Sequence, residues 1–299
     1  MTTAGAVPRD GLAVVDKEAG WTSHDVVAKA RGILHTRKIG HSGTLDPDAT
    51  GVLLLGIGRA TRLLRFLHDL PKTYTGEVVL GVETSTLDAG GDVVATHDMR
   101  AVTLDQARTA ARSLTGDILQ VPPMVSAVKV GGRRLHELAR EGVEVERAPR
   151  PVIVHRLSLD EVPGEPGVLR IGVECSSGTY VRTLAADLGH LLGGGAHLRA
   201  LRRTAIGSFT LADAHPLDQL EVLPMAEVVR NLVAVEVTDE VAAAVGHGKV
   251  LERAVLGVPD DSRGPWAVFG ADRALLAVYE AHRSGTVKPA VVVAEQGDG

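Results

Sequence analysis

The sequence predicts an α+β fold, in which helices flank a mixed, antiparallel-rich sheet and a small β-rich domain follows at the C-terminal end. Strand-like and helix-like segments succeed one another without the regular strand–helix spacing of a parallel sheet. Near residue 230 the pattern changes to short apolar runs separated by polar turns. We therefore expect one domain over residues 10–228 and a smaller one over residues 232–299.

Apolar periodicity defines the elements of the first part of the chain. Ser23 is a suitable N-cap for an amphipathic helix, and the continuous apolar run GVLLLGIG is typical of a buried strand. Thr103 and Gln106 form a capping-box pattern. The expected elements are a strand at 11–17, a helix from 23 to about 34, a polar loop at 35–50, a strand at 51–58, a helix at 59–70, a strand at 74–86 and a helix from 103 to about 114.

The remaining elements follow from the same kind of pattern. Two prolines make residues 122–129 extended, and the polar stretch 131–151 indicates an excursion from the core with a helical centre at 135–140. Three consecutive glycines end the helix expected at 183–192. Further strands are expected at 152–159, 168–175, 209–211, 267–269, 275–278 and 290–294.

Composition excludes several kinds of site. The single cysteine, Cys175, can form neither an internal disulfide nor a cysteine-based zinc site. The twelve histidines show no metal-ligand spacing, and no glycine-rich nucleotide motif occurs. The N-terminal residues lack the features of a signal peptide, and no run of about 18 apolar residues predicts a membrane span. We expect a cytoplasmic protein without a metal site.

Basic residues are concentrated in one part of the chain. The net charge of −5 argues mildly against a nucleic-acid ligand, but binding needs only a local excess of positive charge. Eight Lys and Arg against three Asp and Glu occur between Ala28 and Lys72, and Arg199, Arg202 and Arg203 form a second cluster. Any one of these residues could be ordinary solvated surface. Their concentration around one motif favours a binding face.

The densest polar segment is GHSGTLDPDATG at residues 40–51. Its Asp46 is a candidate covalent nucleophile, provided that the carboxylate stays ionised and faces an electrophilic carbon. An ordinary alternative is a loop in which Asp46 and Asp48 cap nearby N–H groups. The segment also matches the D-x-D-x-T motif of haloacid-dehalogenase-type phosphatases, which use magnesium. That motif directly follows an apolar strand, whereas here a polar loop precedes Asp46 and the apolar strand comes after it.

Tyr74 and Arg182 are two further candidates. Tyr74 heads an expected strand and could stack on a base or relay a proton, although a half-buried structural tyrosine is the commoner case. Arg182 falls in the first turn of an expected helix, where its charge opposes the helix dipole. An acidic partner is therefore expected, and Asp46 is the candidate. The alternative is a surface arginine.

Several motifs occur in a fixed order along residues 11–220. They include VDK at 15–17, GWTS at 20–23, KIGHSGTLDP at 38–47, KTY at 72–74, PPM at 122–124, CSSGTYVRT at 175–183 and LRR at 201–203. By these motifs the chain resembles the TruB family of bacterial tRNA pseudouridine synthases, which isomerise the uridine at position 55 in the T arm. The resemblance implies the pseudouridine synthase fold and, with only faint sequence similarity, a PUA-like C-terminal domain.

The resemblance also implies roles for individual residues. Asp46 corresponds to the catalytic aspartate, Arg182 to the arginine that pairs with it, and Tyr74 to the tyrosine that stacks on the target base. His41 corresponds to a histidine implicated in flipping the nucleotide. The other residues implied to contact substrate or RNA are Lys17, Gly43, Thr44, Leu45, Arg59, Thr61, Asp88, Lys129, Tyr180, Leu201, Arg202 and Arg203.

A thumb-like insertion that closes on the RNA stem-loop corresponds to residues 124–150. Three positions depart from the family pattern, because Glu18 replaces a proline and Val125 and His136 replace common tyrosines. These departures affect the loop and the thumb, and not the nucleophile.

The implied reaction breaks the C1′–N1 glycosidic bond and remakes it as C1′–C5. The base is retained in the pocket, so no cofactor is expected. The target uridine must be flipped out of the folded T loop, and stacking and phosphate contacts would offset the cost. Asp46 either attacks the sugar or pyrimidine ring or abstracts the C2′ proton, and the sequence leaves these routes open. Arg182 is expected to keep Asp46 ionised.

Two other functions stay open. One is a guide-dependent rRNA pseudouridine synthase of archaeal and eukaryotic type, against which the thumb-like insertion argues. The other is a non-enzymatic tRNA-folding chaperone, although the set of Asp46, Tyr74 and Arg182 favours chemistry as well. We expect a monomer that binds the T-arm stem-loop of tRNA and requires neither a membrane nor a protein partner.

Overall fold

A computed structural model describes residues 10–126, 128–258 and 261–293, without the side chains of Arg134 and His136. The departure noted at His136 therefore lies outside the described side chains. Within these ranges the strands are β1 Gly11–Lys17, β2 Ile39–Ser42, β3 Thr50–Ile57, β4 Lys72–Leu80, β5 Val82–Thr84, β6 Val93–Thr96, β7 Gly116–Gln120, β8 Lys129–Val130, β9 Arg133–Arg134, β10 Arg150–Glu161, β11 Val168–Cys175, β12 Ala196–Ile206, β13 Phe209–Thr210, β14 Val233–Glu236, β15 Leu251–Glu252, β16 Trp266–Phe269, β17 Leu275–Ala281 and β18 Thr286–Val292.

Seven α-helices and five short 3₁₀ helices are described alongside these strands. The α-helices are α1 Ser23–Ile33, α2 Arg65–His68, α3 Leu104–Ala111, α4 Leu135–Arg140, α5 Val181–Leu191, α6 Asp239–Gly246 and α7 Arg253–Leu256. The 3₁₀ helices are Gly58–Arg62, Arg112–Leu114, Leu211–Asp213, Leu217–Gln219 and Met225–Val229.

One mixed sheet of nine strands forms the larger part of the molecule. Its strand order is β1-β3-β12-β4-β11-β10-β7, with β2 added to β3 and β13 to β12. The central strand β4 is antiparallel to both β11 and β12, whereas β12 runs parallel to β3. This sheet, with the helices beside it, confirms the predicted α+β class and its antiparallel-rich sheet.

Helices cover the sheet where their apolar faces meet it. Leu184 and Leu188 of α5 are buried with Ala107 of α3 and Ile171 of β11 in one core cluster. A second cluster joins α1 to β3, in which Val26 and Val27 of the helix are buried beside Leu53 and Leu55. These apolar stripes follow the 3.6-residue helical period.

A five-stranded sheet, in the order β14-β16-β17-β18-β15, makes up the C-terminal part. Trp266, Tyr279 and Val287 are fully buried in its own core. A further cluster joins this sheet to the larger one, with Leu63 and Val278 among its buried members. The predicted β-rich C-terminal end is confirmed, whereas a domain boundary between 228 and 232 stays a prediction.

Two predicted helices differ from those observed. The N-cap of α1 is Thr22, which forms a capping box with Asp25, so Ser23 is the first helical residue and is buried. The single helix predicted at 59–70 was wrong. Leu63 N–H donates to Ala60, three residues before it, so this segment begins as a 3₁₀ helix and only α2 is α-helical.

One predicted strand has wrong boundaries, and two observed strands were not predicted. The strand expected at 74–86 is interrupted at Gly81, whose φ of 83° lies in the left-handed region. The loop expected at 35–50 contains β2. Strand β12 was missed altogether, because Ala200 adopts a φ of 54° and the register shifts between Arg199 and Arg202. This bulge breaks the period of two by which a strand is recognised.

Candidate active site

The segment that carries Asp46 is residues 43–49, between β2 and β3, here called the Asp46 loop. The Ser23 hydroxyl accepts a hydrogen bond from the Leu45 N–H at 2.9 Å and donates to the Leu45 carbonyl at 3.2 Å. The Lys17 amine donates to the Pro47 carbonyl at 2.8 Å. Ser23 and Lys17 are each 1% exposed. The residues on both sides of Asp46 are therefore held by buried side chains.

Arg203 of β12 also holds the Asp46 loop, through hydrogen bonds to backbone carbonyls. Its guanidinium donates to the carbonyls of Val52 at 2.7 Å and Gly43 at 3.1 Å, with a longer contact of 3.4 Å to that of Thr44. Strand β12 can approach β3 closely at this point because Gly51 of β3 has no side chain. The φ of Gly51 is 99°, and a Cβ there would lie 2.1 Å from the Arg203 carbonyl oxygen. Arg203 is 1% exposed and lines the cleft beside Asp46, so its role as a substrate or RNA contact stays a prediction.

Arg182 joins the Asp46 loop to two other segments. Its Nε lies 3.0 Å from Asp46 Oδ2 and its Nη1 lies 3.2 Å from Asp88 Oδ2. The guanidinium also donates to the carbonyls of Thr86 and Val125, both at 2.9 Å. Two carboxylates thus face a cation in the first turn of α5, where an acidic partner was expected.

Asp88 is oriented by its own neighbours. Its Oδ1 accepts from the Thr86 hydroxyl at 2.6 Å and from the Gly90 N–H at 3.1 Å. The Ala89 N–H donates to the Leu198 carbonyl, which ties this turn to β12. Asp88, predicted from the sequence to contact substrate or RNA, shares Arg182 with Asp46 and lines the adjacent cleft. Because one guanidinium serves two carboxylates, this part of the site carries excess negative charge.

Opposing effects act on the Asp46 carboxyl. Burial raises its pKa above the ordinary value, the Arg182 charge lowers it, and the Asp88 charge raises it again, so that the net shift is upward. The side chain nevertheless keeps 44% of its surface exposed, and water at that edge limits the rise. Arg182 favours ionisation, as expected, but it does not bring the pKa below that of an ordinary aspartate.

A cleft of about 280 Å³ opens beside Asp46. Tyr74, Tyr180 and Leu201 contribute to its lining, with Arg182 behind Asp46. A second cleft of about 240 Å³ lies against the same Asp46–Arg182 pair and is also lined by Asp88. The two charged side chains are thus shared by both openings.

Two aromatic residues line the larger cleft. Tyr74 pairs with Val173 of β11 and Arg203 of β12 across the sheet, and burial raises the pKa of its phenol, which therefore stays neutral. Tyr180 precedes α5, and the Gln120 side chain contacts its backbone N–H at 2.8 Å and its carbonyl at 3.1 Å. Both positions are fixed by the sheet and its edge.

His41 lies on β2, opposite Leu55. Its ring meets that of His24 edge to face at 5.2 Å, and its Nδ1 is buried without a hydrogen-bond partner. Burial, together with the charge of His24, lowers the pKa of His41 to about 4. The imidazole is therefore neutral at pH 7.

Other residues implied by the sequence lie in different surroundings. Arg59 pairs with Asp10 at 2.6 Å and donates to the carbonyl of Val293, next to β18. The Thr61 hydroxyl donates to the carbonyl of Gly58 within its own 3₁₀ turn. Neither residue is among those lining the two clefts.

Arg202 and Lys129 likewise are not among the residues that line the two clefts. Arg202 pairs with Asp16 of β1 at 2.6 Å and contacts the Thr50 hydroxyl at 3.2 Å. Lys129 is exposed on the β8–β9 hairpin, within the predicted thumb.

Sequence reasoning missed two residues of the site. Ser23 was assigned to capping, but the preceding Thr22 caps the helix, which leaves the Ser23 hydroxyl for the Asp46 loop. Lys72 was noted only as part of the segment with Tyr74, yet it is 5% exposed and lines the larger cleft. Two adjacent hydroxyl residues at a helix start are the only signal for Ser23, because one cap needs one of them.

Two kinds of feature are absent from the described part of the chain. No group of three or more His, Cys, Asp or Glu side chains there is placed to hold a metal ion. Its helices are all too short or too polar to cross a lipid bilayer.

Family models match most of the larger sheet. Residues 31–181 match the N-terminal domain of TruB family pseudouridylate synthases, and residues 182–234 match the C-terminal domain of tRNA pseudouridylate synthase B.

Curated relatives match over most or nearly all of the chain. A tRNA pseudouridine synthase B of an Arthrobacter species is 46% identical, over 96% of this chain and 98% of its own length. The protein of the same name from Geobacillus thermodenitrificans is 42% identical, over 94% and 98%. That of Rhodococcus jostii is 54% identical, over 72% and 71%.

Solved structures share the fold. A Cbf5–Nop10–Gar1 complex aligns with a TM-score of 0.72 and 28% identity, over 96% of this chain and 84% of that chain. An H/ACA RNP bound to a substrate RNA containing 2′-deoxyuridine aligns with a TM-score of 0.72, over 96% and 86%. At 24% identity the second likeness shows the fold alone.

Proposed function

The chain belongs to the TruB family of pseudouridylate synthases, and from that membership we propose that it converts uridine to pseudouridine at position 55 in the T arm of tRNAs. Relatives that bear the name tRNA pseudouridine synthase B support tRNA as the substrate. The ordered motifs of the sequence favour the T arm and position 55. The activity would be that of a tRNA pseudouridine(55) synthase.

The contact between Asp46 and Arg182, made at the edge of a cleft lined by Tyr74, is the observation that carries this proposal. In the reaction the Asp46 carboxylate serves as the nucleophile, or as the base for the C2′ proton. Arg182 orients it through Nε, and Ser23 and Lys17 hold the adjacent backbone. A carboxylate fixed in this way needs little reorganisation before it reacts.

The flipped uridine would occupy the larger cleft. Tyr74 offers an aromatic face for stacking and a neutral phenol near the base. Tyr180 and Leu201 line the same cleft. His41 is neutral at pH 7, so its imidazole could replace the extruded base in the RNA without adding charge.

RNA outside the cleft would be bound by other parts of the chain. We assign residues 124–150 to a thumb that closes on the stem-loop, and the five-stranded C-terminal sheet to an RNA-binding domain over residues 232–299. The Arg182 contact with the Val125 carbonyl, at the start of this segment, supports the assignment. The enzyme would act as a cytoplasmic monomer, without a cofactor or protein partner.

A T-arm stem-loop with tritium at C5 of the target uridine provides the test, since pseudouridine formation releases that tritium. Purified enzyme should release it, and Asp46→Asn should not. Asp48→Asn is the matched control, because it removes a carboxylate from the same loop, and it should keep most of the activity. Release by Asp46→Asn at the wild-type rate would refute the nucleophile assignment.

The same variants address the chaperone alternative. If Asp46→Asn binds and refolds unmodified tRNA as well as wild type does, a folding activity exists beside catalysis. If wild-type enzyme refolds tRNA but releases no tritium, the proposed isomerase activity is wrong.

A further inference from the structure

Lys72 is a buried cation in the cleft that contains Tyr74. It begins β4, and residues two apart on a strand project from the same face, so Lys72 and Tyr74 lie side by side. Lys72 is 5% exposed, and its Nζ donates to the His68 carbonyl at 2.5 Å. Among the residues that the structure describes, no carboxylate forms an ion pair with this amine. A buried ammonium without a counter-charge is costly, which indicates a partner that arrives with the substrate.

The charges around Lys72 support this interpretation. Burial and the neighbouring Arg203 charge lower the pKa of Lys72 to about 8, and the Cys175 thiol and Asp69 act weakly in the opposite direction. Arg203 itself is bound by carbonyl oxygens and not by a carboxylate. Two buried cations without carboxylate partners therefore lie at this part of the cleft.

The cleft is therefore rich in positive charge. Asp46, paired with Arg182, is the one carboxylate among the described residues that line it, whereas Lys72 and Arg203 line it without a carboxylate partner. Negative charge that develops on a bound base would be stabilised beside these two cations.

We propose that Lys72 contacts the uracil ring of the target nucleotide and stabilises the negative charge that develops on it during isomerisation. The expected contact is from Nζ to a ring carbonyl oxygen. This proposal rests on the function proposed above and assigns to it a further catalytic residue.

Negative charge develops on the base by each route open to Asp46. When the C1′–N1 bond breaks, its electron pair moves to the base, while C1′ gains a bond to Asp46 or C2′ loses its proton to Asp46. The C1′–C5 bond then forms as Asp46 departs or returns that proton, the C5 proton is lost, and N1 gains one. If Asp46 instead attacks C6 of the ring, the C5–C6 π electrons move onto the ring carbonyl. C1′ is then transferred from N1 to C5, and Asp46 leaves C6 as the C5 proton is lost and N1 gains one. Lys72 keeps its proton throughout.

The test compares Lys72→Met, which keeps the length of the side chain without its charge, with Lys72→Arg, which keeps the charge. Single-turnover tritium release and the dissociation constant for the stem-loop are measured for both. Arg112→Met, which removes an exposed cation of the 3₁₀ helix after α3, is the control and should match wild type. Lys72→Met should lose about 100-fold or more in rate, the usual effect of removing one donor to a developing anion, with binding changed less than about threefold.

A pH profile separates this role from a structural one. The charged amine is the active form, so kcat/KM of wild type should fall as pH rises through about 8. Lys72→Arg stays charged and should lose that part of the decline, whereas the control Arg112→Met should retain it. This comparison remains decisive if Lys72→Met does not fold.

Three results would overturn the role of Lys72. They are a Lys72→Met rate within threefold of wild type, a loss confined to RNA binding, and an alkaline limb unchanged in Lys72→Arg. Each of these results requires that wild-type enzyme releases tritium. If wild-type enzyme releases none, it is the proposed function that fails, and this outcome is distinct from the three above.

Discussion

Asp46 Oδ2 and Arg182 Nε lie 3.0 Å apart, although the two residues come from different halves of the chain. The β2–β3 connection carries the carboxylate, and the first turn of α5 carries the guanidinium. Arg182 is 4% exposed, while Asp46 keeps an open edge toward both clefts. The pair thus consists of a fixed cation and a carboxylate that a substrate can reach.

Asp46→Asn should remove activity without lowering stability. The raised pKa of Asp46 means that the fold disfavours its charged form. This penalty is absent below the ordinary pKa of 3.8, where the carboxyl is neutral in both folded and unfolded states, and it is fully present once pH exceeds the raised value. Calorimetry at pH 7 should therefore give a Tm for Asp46→Asn at or above that of wild type, with the difference shrinking as pH falls.

A Tm several degrees below wild type at pH 7 would contradict this prediction. It would mean that the ion pair with Arg182 outweighs the cost of burying Asp46. Asp48→Asn is the reference for loss of an exposed carboxylate from the same loop.

Asp88→Asn should move the acid limb of the pH–activity profile. The Asp88 charge raises the pKa of Asp46, so its removal should lower that pKa. As the proposed nucleophile, Asp46 would be active when ionised, and kcat/KM should fall as pH drops through its pKa, so this acid limb should shift to lower pH in Asp88→Asn. Single-turnover rates between pH 4 and 8 would measure the shift.

His41 has a pKa of about 4, lowered mainly by burial, and Asp88 is not among the charges that act on it. Any pH dependence that arises from His41 should therefore stay in place in Asp88→Asn. A limb that stays in place, or moves to higher pH, would show that Asp88 does not act on Asp46 through its charge.

Ser23→Ala should impair catalysis through the Asp46 loop. It leaves the buried Leu45 N–H without its acceptor, which costs about 1–3 kcal/mol of stability. We expect a single-turnover rate at least about tenfold lower, with unchanged RNA affinity, because a small displacement of the reacting group is costly in rate.

Thr22→Ala is the matched control on the neighbouring residue. It removes the N-cap of α1 and should cost about 1 kcal/mol in stability, and the hydrogen bonds of Thr22 go to Asp25 and Val26 of its own helix. Equal rate losses in the two variants would show that helix stability, and not the loop contact, explains the effect of Ser23.

Lys129 and Arg59 should differ in their effect on RNA binding. Lys129 is exposed on the predicted thumb, so Lys129→Met should weaken binding of the stem-loop and reduce the slope of log K against log salt by about 1. Arg59 contacts Asp10 and the Val293 carbonyl, so Arg59→Met should lower Tm and leave that slope unchanged. Filter binding at several salt concentrations distinguishes them, and the reverse result would restore the role that the sequence implied for Arg59.

Local patterns in the sequence were sufficient for the fold class and for a set of candidate site residues. Apolar periodicity located β1, β3 and α3, and the ordered motifs identified Asp46, Tyr74 and Arg182 as candidates. Such patterns are visible because they depend on neighbours within a few positions. They are weak where the backbone departs from regular geometry, as at Ala200 in β12 and Gly81 after β4.

The sequence by itself therefore determined the family, the class of fold and a short set of candidate residues. Only the tertiary structure decided that Arg203 lies beneath the Asp46 loop, that Asp88 shares Arg182, and that Ser23 holds Leu45. Each of these contacts joins segments distant along the chain, and a basic or hydroxyl residue looks the same in sequence whether it is exposed or buried. The net effect on the pKa of Asp46 likewise depends on burial and on charges from several segments, which no local pattern records.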